Sequence, residues 1–264
     1  MPYRIDVPRA ADGVSDRLIE LGALDVESLA GGGVAALMPD AVTPARVAHA
    51  LGVDAVETSS AIGRDEDSVW LLHPRSFRAG RLHFAPAGTD ADRGAIRLVD
   101  TPVFGTGLHP TTSLCLEALE VEVTSSMPDT VLDVGTGSGI LALAALALGV
   151  PRVTAIDIDA DAVRVAEENA RLNDVSDRLD IVRGGVEVIP ASFPLVLANV
   201  LAAPLIEMGP TLVRRVGHHG RILLSGIPSG VDAEVDRAYR RLGMRSVTSY
   251  SRAGWTALLL QASW

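Results

Sequence analysis

The sequence predicts an α/β protein: a parallel sheet covered by helices, preceded by a small α+β unit. Three observations predict this fold class. From residue 130 onward, near-continuous apolar strands alternate with helical stretches, the pattern of a parallel sheet buried on both faces. The chain then ends in two strand-like segments joined by a short turn. Its first sixty residues contain two successive strand–helix–strand patterns.

The larger unit accounts for most of the predicted elements. Its apolar strands are Thr130–Val134, Val153–Ile158, Leu179–Val182, Leu195–Ala198 and Ile222–Ser225. Its clearest helices are Ile140–Leu148, Ala160–Leu172 and Val231–Leu242. Arg245–Ser251 and Trp255–Ala262 are predicted as a terminal antiparallel hairpin.

The small unit is predicted from short alternating segments. Its strands are Tyr3–Val7, Asp25–Leu29, Val34–Met38 and Ala55–Ser59, and its helices are Ala11–Leu21 and Pro44–Leu51. This βαββαβ order indicates a ferredoxin-like sheet with both helices on one face. A strand near Val69–Leu72 and a loop-rich stretch should follow, with Pro74, Pro86 and residues 88–92 as turn material. We expect two domains, 1–92 and 93–264.

Composition excludes several classes of protein. A net charge of −10 argues against nonspecific nucleic-acid binding but is compatible with a basic protein partner. Cys115 is the only cysteine, which excludes an internal disulfide and a cysteine-rich metal site, and we expect no metal. All 23 basic residues are arginines, so no lysine can act as a base. The chain has no membrane span or signal pattern, and we expect a cytoplasmic protein.

A glycine-rich loop follows the first strand of the larger unit. Asp133 precedes Gly135, Gly137 and Gly139, and the helix after them presents free N–H groups. This geometry suits a nucleotide-like cofactor at the carboxyl edge of the sheet. The G-x-G-x-G spacing differs from the G-x-G-x-x-G of dinucleotide dehydrogenases. Asp133 is a candidate for cofactor binding or, equally, for bracing the loop.

Two further polar residues follow strands at the same edge. Asp157 ends the second strand, where a carboxylate can accept hydrogen bonds from both ribose hydroxyls. Its alternative role is a helix N-cap, for which Asp159 is better placed. Asn199 follows the fourth strand and could align an amine with a methyl group. Taken alone, the pattern around Asn199 favours a turn residue over a ligand contact.

The segment Phe104-Gly105-Thr106-Gly107-Leu108-His109-Pro110-Thr111-Thr112 closely resembles a signature of the ribosomal-protein L-eleven methyltransferases (PrmA type). The glycine loop, the segment around Asn199, Leu223–Ile227 and the terminal hairpin with Trp255 are also similar to that family. The resemblance covers most of the chain and is strongest from Phe104 to Gly226. It implies a class I methyltransferase (Rossmann-like) fold, which has a terminal hairpin.

The resemblance also implies a cofactor and its contacts. The donor would be S-adenosyl-L-methionine, with contacts at Thr112, Gly135, Asp157 and Asn199. Phe104–Thr112, including Gly105, would cover part of the donor pocket. On its own chemistry, His109 before Pro110 is more often structural than catalytic.

The expected function is a protein N-methyltransferase acting on lysine side chains or the N-terminal amine of a basic ribosomal protein of the L-eleven type. Asn199 is the candidate catalytic residue, which would align the acceptor amine, and the first domain would recognise the substrate. The chain lacks the Pro-Gly pair that usually precedes the phenylalanine signature and the usual tryptophan-rich stretch. Alternatives are therefore another protein or a small amine as substrate. A nicotinamide-dependent oxidoreductase and a donor-binding protein without activity also stay open.

Overall fold

The computed structural model describes residues 3–7, 10–11, 13–29, 33–60, 76–89, 94–101, 103, 105, 107, 109–252 and 254–264. Three predictions lie outside these residues: the strand near Val69–Leu72, the turn material at Pro74 and 90–92, and the contribution of Phe104. Within them, no helix is both long enough and apolar enough to cross a membrane.

The first sixty residues form the predicted βαββαβ unit. Its elements are β1 (Tyr3–Val7), α1 (Val14–Glu20), β2 (Asp25–Leu29), β3 (Gly33–Met38), α2 (Pro44–Leu51) and β4 (Glu57–Ser60). The strands pair antiparallel in the order β2-β3-β1-β4. Ile5 and Met38 of the sheet share one core with Leu18 of α1 and Val47 of α2. This sharing explains why both helices need an apolar face.

The loop-rich interpretation of the following stretch is wrong in part. The chain there forms a three-stranded sheet of β5 (Phe77–Ala79), β6 (Leu82–Pro86) and β7 (Ile96–Leu98), in the order β5-β6-β7. Two of these strands, β5 and β7, have only three residues each, which is too short to show a clear alternation of apolar and polar residues. Among the predicted turn residues that the structure describes, Pro86 ends β6, and Gly88, with a φ of 82°, lies in the turn that follows.

The larger unit contains the remaining elements. They are α3 (Pro110–Ser126), β8 (Thr130–Val134), α4 (Ile140–Ala147), β9 (Arg152–Asp157), α5 (Ala160–Leu172), β10 (Leu179–Arg183), β11 (Phe193–Asn199), α6 (Ala202–Val213), β12 (Val216–Pro228), α7 (Asp232–Arg241), β13 (Met244–Arg252) and β14 (Trp255–Ala262). Helices α3 and α6 were not among those predicted. The sheet order is β10-β9-β8-β11-β12-β14-β13. The first five of these strands pair parallel, and β14 pairs antiparallel with both β12 and β13. This arrangement confirms the predicted parallel sheet with a terminal hairpin.

The central strands β8 and β11 are buried on both faces because apolar residues occupy most of their consecutive positions. Val131 packs in a core with α3 and α4, whereas its neighbour Leu132 packs in a second core with α6 and α7. The first core also contains Phe84 of β6 and Leu98 of β7. Strands β5 to β7 therefore pack with the larger unit, and the boundary near residue 92 stays a prediction.

Candidate functional site

The loop between β8 and α4 turns on three glycines. Gly135, Gly137 and Gly139 all have positive φ, which side chains rarely adopt. A Cβ atom on Gly135 would lie 2.6 Å from a methyl group of Val200. The loop therefore needs glycine for its conformation and, at Gly135, also for its close contact with the β11–α6 connection.

Asp157, at the end of β9, is held against this loop. Its Oδ2 accepts a hydrogen bond from the Gly137 amide (2.9 Å), and its Oδ1 accepts one from the Asp159 amide (3.0 Å). Asp159 in turn caps α5, since its side chain accepts from the Asp161 amide. A carboxylate has about four lone-pair sites, so Asp157 keeps acceptor capacity toward a ligand.

A cavity of about 490 Å³ opens at the carboxyl edge of the parallel strands. Four predicted site residues line it: Gly135, Gly137, Asp157 and Asn199. The rest of its wall is Val134, Ile156, Ile158, Gly184, Gly185, Val186, Glu187, Val200, Leu201, Pro204 and Met208. The wall is mainly apolar with a few polar groups, the usual composition of a small-molecule site.

Asn199 has an unsatisfied polar atom at this cavity. Its Nδ2 lies 3.5 Å from Thr112 Oγ1, to which it can donate a long hydrogen bond. Its Oδ1 is buried and has no hydrogen-bond partner among the described residues. A buried amide oxygen without a partner is costly, and it usually marks a position that a ligand or water satisfies. The structure thus brings Thr112 and Asn199 together.

Three other predicted residues that the structure describes, Asp133, Gly139 and Gly105, are not part of the cavity wall. Asp133 is 1% exposed and accepts a hydrogen bond from the Thr136 hydroxyl (2.6 Å), a geometry that matches the bracing alternative. Burial raises the pKa of its carboxyl to about 6, although the bond from Thr136 opposes this rise. Gly139 precedes α4 and packs against Ala166 of α5. The carbonyl of Gly105 accepts a hydrogen bond from the Ser138 hydroxyl (2.7 Å).

His109 occupies the N-cap of α3. Its Nδ1 accepts a hydrogen bond from the Thr111 amide (3.3 Å), and its ring meets Trp255 edge-on with centroids 5.0 Å apart. Burial lowers the pKa of the imidazole to about 4. A neutral ring used as a helix cap is a weak proton acceptor, so this geometry supports a structural role.

Sequence reasoning missed the part of the wall that follows β10. Gly184, Gly185 and Glu187 come directly after this strand and line the cavity. The signal was present: two consecutive glycines and a carboxylate follow a parallel strand whose end was predicted correctly. Applying the carboxyl-edge rule to every strand would have found them.

Comparison with known proteins identifies the family. A family model described as ribosomal protein L11 methyltransferase (PrmA) matches residues 73–263. A ribosomal protein L11 methyltransferase from Geobacter sulfurreducens is 44% identical over 74% of this chain and 66% of its own length. One from Methylococcus capsulatus is 37% identical over 94% of both chains. The match covers slightly less than two thirds of the first of these relatives.

A solved structure supports the same assignment at the level of fold. The ribosomal protein L11 methylase of Lactobacillus delbrueckii subsp. bulgaricus is 30% identical, with a TM-score of 0.64 over 70% of this chain and 97% of that one. The predicted class I methyltransferase fold is thereby confirmed. The chain belongs to the ribosomal protein L11 methyltransferase (PrmA) family.

Proposed function

We propose that this protein transfers methyl groups from S-adenosyl-L-methionine to amino groups of a basic ribosomal protein of the L11 type. The observation that carries the proposal is the unsatisfied Oδ1 of Asn199 at the cavity that Gly135, Gly137 and Asp157 also line. Membership of a family named for methylating L11 supports the choice of substrate.

The residues present suit this donor. The positive-φ glycines bring backbone close to the cavity, and Asp157 offers carboxylate oxygens for ribose hydroxyls. Ile158 and Leu201 are 74% and 63% exposed and belong to the wall, so they can cover the flat faces of a bound purine or an aliphatic chain. The donor supplies an already activated methyl group on a sulfonium.

The chain's own contribution is to place the acceptor. Asn199 Oδ1 can accept a hydrogen bond from the acceptor amine and so aim the lone pair of the amine nitrogen at the methyl group. This is catalysis by proximity and orientation. The apolar wall excludes water and favours the neutral, nucleophilic amine. We assign no general base, because His109 is committed to capping α3.

The first test is binding and turnover on the whole chain. Calorimetry should detect S-adenosylmethionine and S-adenosylhomocysteine but not NAD, and donor with recombinant L11-type protein should yield methylated amines. Tight NAD binding without S-adenosylmethionine binding would refute the proposal in favour of an oxidoreductase. Donor binding without turnover on any protein or small amine would leave a donor-binding protein.

The second test is Asn199→Ala, which removes the unsatisfied oxygen. The saturated single-turnover rate should fall on the order of a hundredfold, the cost of lost alignment. Donor affinity should fall much less, because Gly137 and Asp157 remain. Thr112→Val is a comparison variant, and it should lower the saturated rate less than Asn199→Ala does, because it removes the hydroxyl that Asn199 Nδ2 faces and leaves Asn199 Oδ1 in place. A large loss of donor affinity with an unchanged saturated rate would make Asn199 a cofactor ligand instead.

A further inference from the structure

Asn169 lies on the buried face of α5, away from the cavity wall, and is fully buried. Its side chain makes two short hydrogen bonds, both to backbone of other segments. Nδ2 donates to the Ser138 carbonyl of the glycine loop (2.8 Å), and Oδ1 accepts from the Val99 amide just after β7 (2.8 Å). One amide group therefore joins two segments that are far apart in sequence.

Ser138 extends this connection to the signature segment. Its hydroxyl donates to the Gly105 carbonyl (2.7 Å), while its own carbonyl accepts the bond from Asn169. A Cβ atom on Gly105 would lie 2.4 Å from Ser138 Oγ, and Gly105 has a φ of 115°, so the two backbones can meet only at glycine. Ser138 is itself 2% exposed, so water cannot replace these bonds.

The glycine loop is thus held from both sides. Gly137 bonds to Asp157 at the cavity, and the adjacent Ser138 bonds to Gly105 and Asn169 behind it. We propose that Asn169 and Ser138 are positioning residues for donor binding, because they hold Val99 and Gly105 against the glycine loop in its binding conformation. This inference rests on the proposed function, since it concerns the donor site.

Without these hydrogen bonds, only a fraction of the protein molecules would have the binding-competent arrangement before donor arrives. When the hydrogen bonds of Ser138 or Asn169 are lost, the glycine loop and Gly105 must be brought together during binding. The apparent dissociation constant then rises by the inverse of the competent fraction. Once donor is bound, the arrangement is complete, and the transfer step itself should be little affected.

Ser138→Ala removes only the bond to Gly105. The variant loses one neutral buried hydrogen bond, so the donor dissociation constant should rise roughly two- to thirteenfold. The donor-saturated turnover rate should stay within about twofold of wild type. Ser126→Ala is the control: that serine also donates to a backbone carbonyl at 2.7 Å, but it does so at the end of α3.

Asn169→Asp keeps the acceptor for the Val99 amide and loses the donor to the Ser138 carbonyl. An ionised carboxylate would repel that carbonyl, whereas a protonated one could donate to it again. The dissociation constant relative to wild type at the same pH should therefore be larger at pH 8 than at pH 6. Asn173→Asp is the control, because Asn173 bonds to Arg97 and to the Asn169 carbonyl but not to the glycine loop.

Calorimetry with S-adenosylhomocysteine and donor-saturated turnover on the full chain decide the matter. Weaker binding by Ser138→Ala and Asn169→Asp, with saturated turnover retained and both controls near wild type, supports the inference. If Asn169→Asp does not fold, Ser138→Ala and its control decide alone. Variants that bind like their controls, whatever their melting temperatures, overturn the inference while leaving the proposed function intact. Absence of binding by wild type would overturn the proposed function itself.

Discussion

Asp157 has two tasks that a single substitution does not separate. It bonds to the Gly137 amide, and it lines the cavity where we expect the ribose. Asp157→Ala should weaken donor binding by roughly 1.5–3 kcal/mol, the range for hydrogen bonds to a charged group. Part of that loss would come from the glycine loop and part from the ribose.

A cycle with a modified ligand separates the two contributions. Affinities of wild type and Asp157→Ala are measured for S-adenosylhomocysteine and for its 2′-deoxyribose analogue. If Asp157 binds the ribose, the deoxy analogue should lose much less affinity on mutation than the parent does. Equal losses for both ligands would assign Asp157 to bracing the loop alone.

Asp133 and His109 should change the free energy of unfolding in opposite directions as pH rises. The Asp133 pKa rises from 3.8 to about 6 on folding, so the native state holds more protons between these values and stability falls as pH rises through them. The His109 pKa falls from 6.5 to about 4, so stability rises with pH over an overlapping range. In wild type the two effects partly cancel.

Asp133→Asn should remove one of the two slopes. The unfolding free energy of the variant minus that of wild type should increase between about pH 4 and pH 6, by on the order of 2–3 kcal/mol, because only wild type loses the Asp133 contribution over this range. Urea unfolding at several pH values measures this difference. A difference that stays constant with pH would mean that the Asp133 carboxyl titrates alike in the folded and unfolded chains.

The residues that could be predicted from the sequence are those whose role follows from local order. Asp157 and Asn199 end strands that were placed correctly, and both line the cavity. The role of Asn169 could not be predicted, because its partners Val99 and Ser138 are brought together only by tertiary packing. From sequence alone, Asn169 is one polar residue in a helix.

Among the helices and strands, the length of an element decided whether it could be predicted from the sequence. The parallel strands are predominantly apolar, and helix α5 begins at Ala160 and ends at Leu172, as its amphipathic pattern and the Asp159 cap indicate. Strands β5 and β7 have only three residues each, which leaves no periodicity to detect. All three strands, β5 to β7, are buried by packing against α3 and α4, which are distant in sequence. Phe84 of β6 is therefore fully buried, although its stretch of sequence resembles a loop.

This packing changes where the chain can be divided. A fragment that begins at Ser76 keeps β5 and β6, whereas one that begins at Arg93 loses Leu82 and Phe84 from the core. Loss of a buried aromatic or leucine side chain costs roughly 2–5 kcal/mol, so the shorter fragment should be much less stable. The longer fragment should still bind donor.

Urea unfolding and calorimetry with S-adenosylhomocysteine compare the two fragments with the full chain. Equal stability of both fragments would show that β5 and β6 are dispensable and would favour the predicted boundary near residue 92. We also expect the fragment from Ser76 to lose methylation of the protein substrate, because the βαββαβ unit is the predicted recognition domain. Retained turnover on that substrate would contradict this role.

At the scale of the whole molecule, charge bears on the choice of partner. The net charge of −10 and a basic ribosomal protein should attract each other over distances beyond contact, which raises the association rate. The donor site differs, because its wall is mainly apolar and has only a few polar groups. Salt should therefore affect the two substrates differently.

We expect kcat/KM for the protein substrate to fall about tenfold or more between roughly 0.05 and 0.5 M NaCl, as the Debye length shrinks from over 10 Å to below 5 Å. The donor dissociation constant should change much less over the same range. A small-amine substrate, if one is accepted, serves as the control, since a single charge gains little from steering. A kcat/KM for the protein substrate that changes no more with salt than that for the small amine would count against a basic protein partner. It would favour the small-amine alternative, because the charge of the molecule would then play no part in bringing the protein to the site.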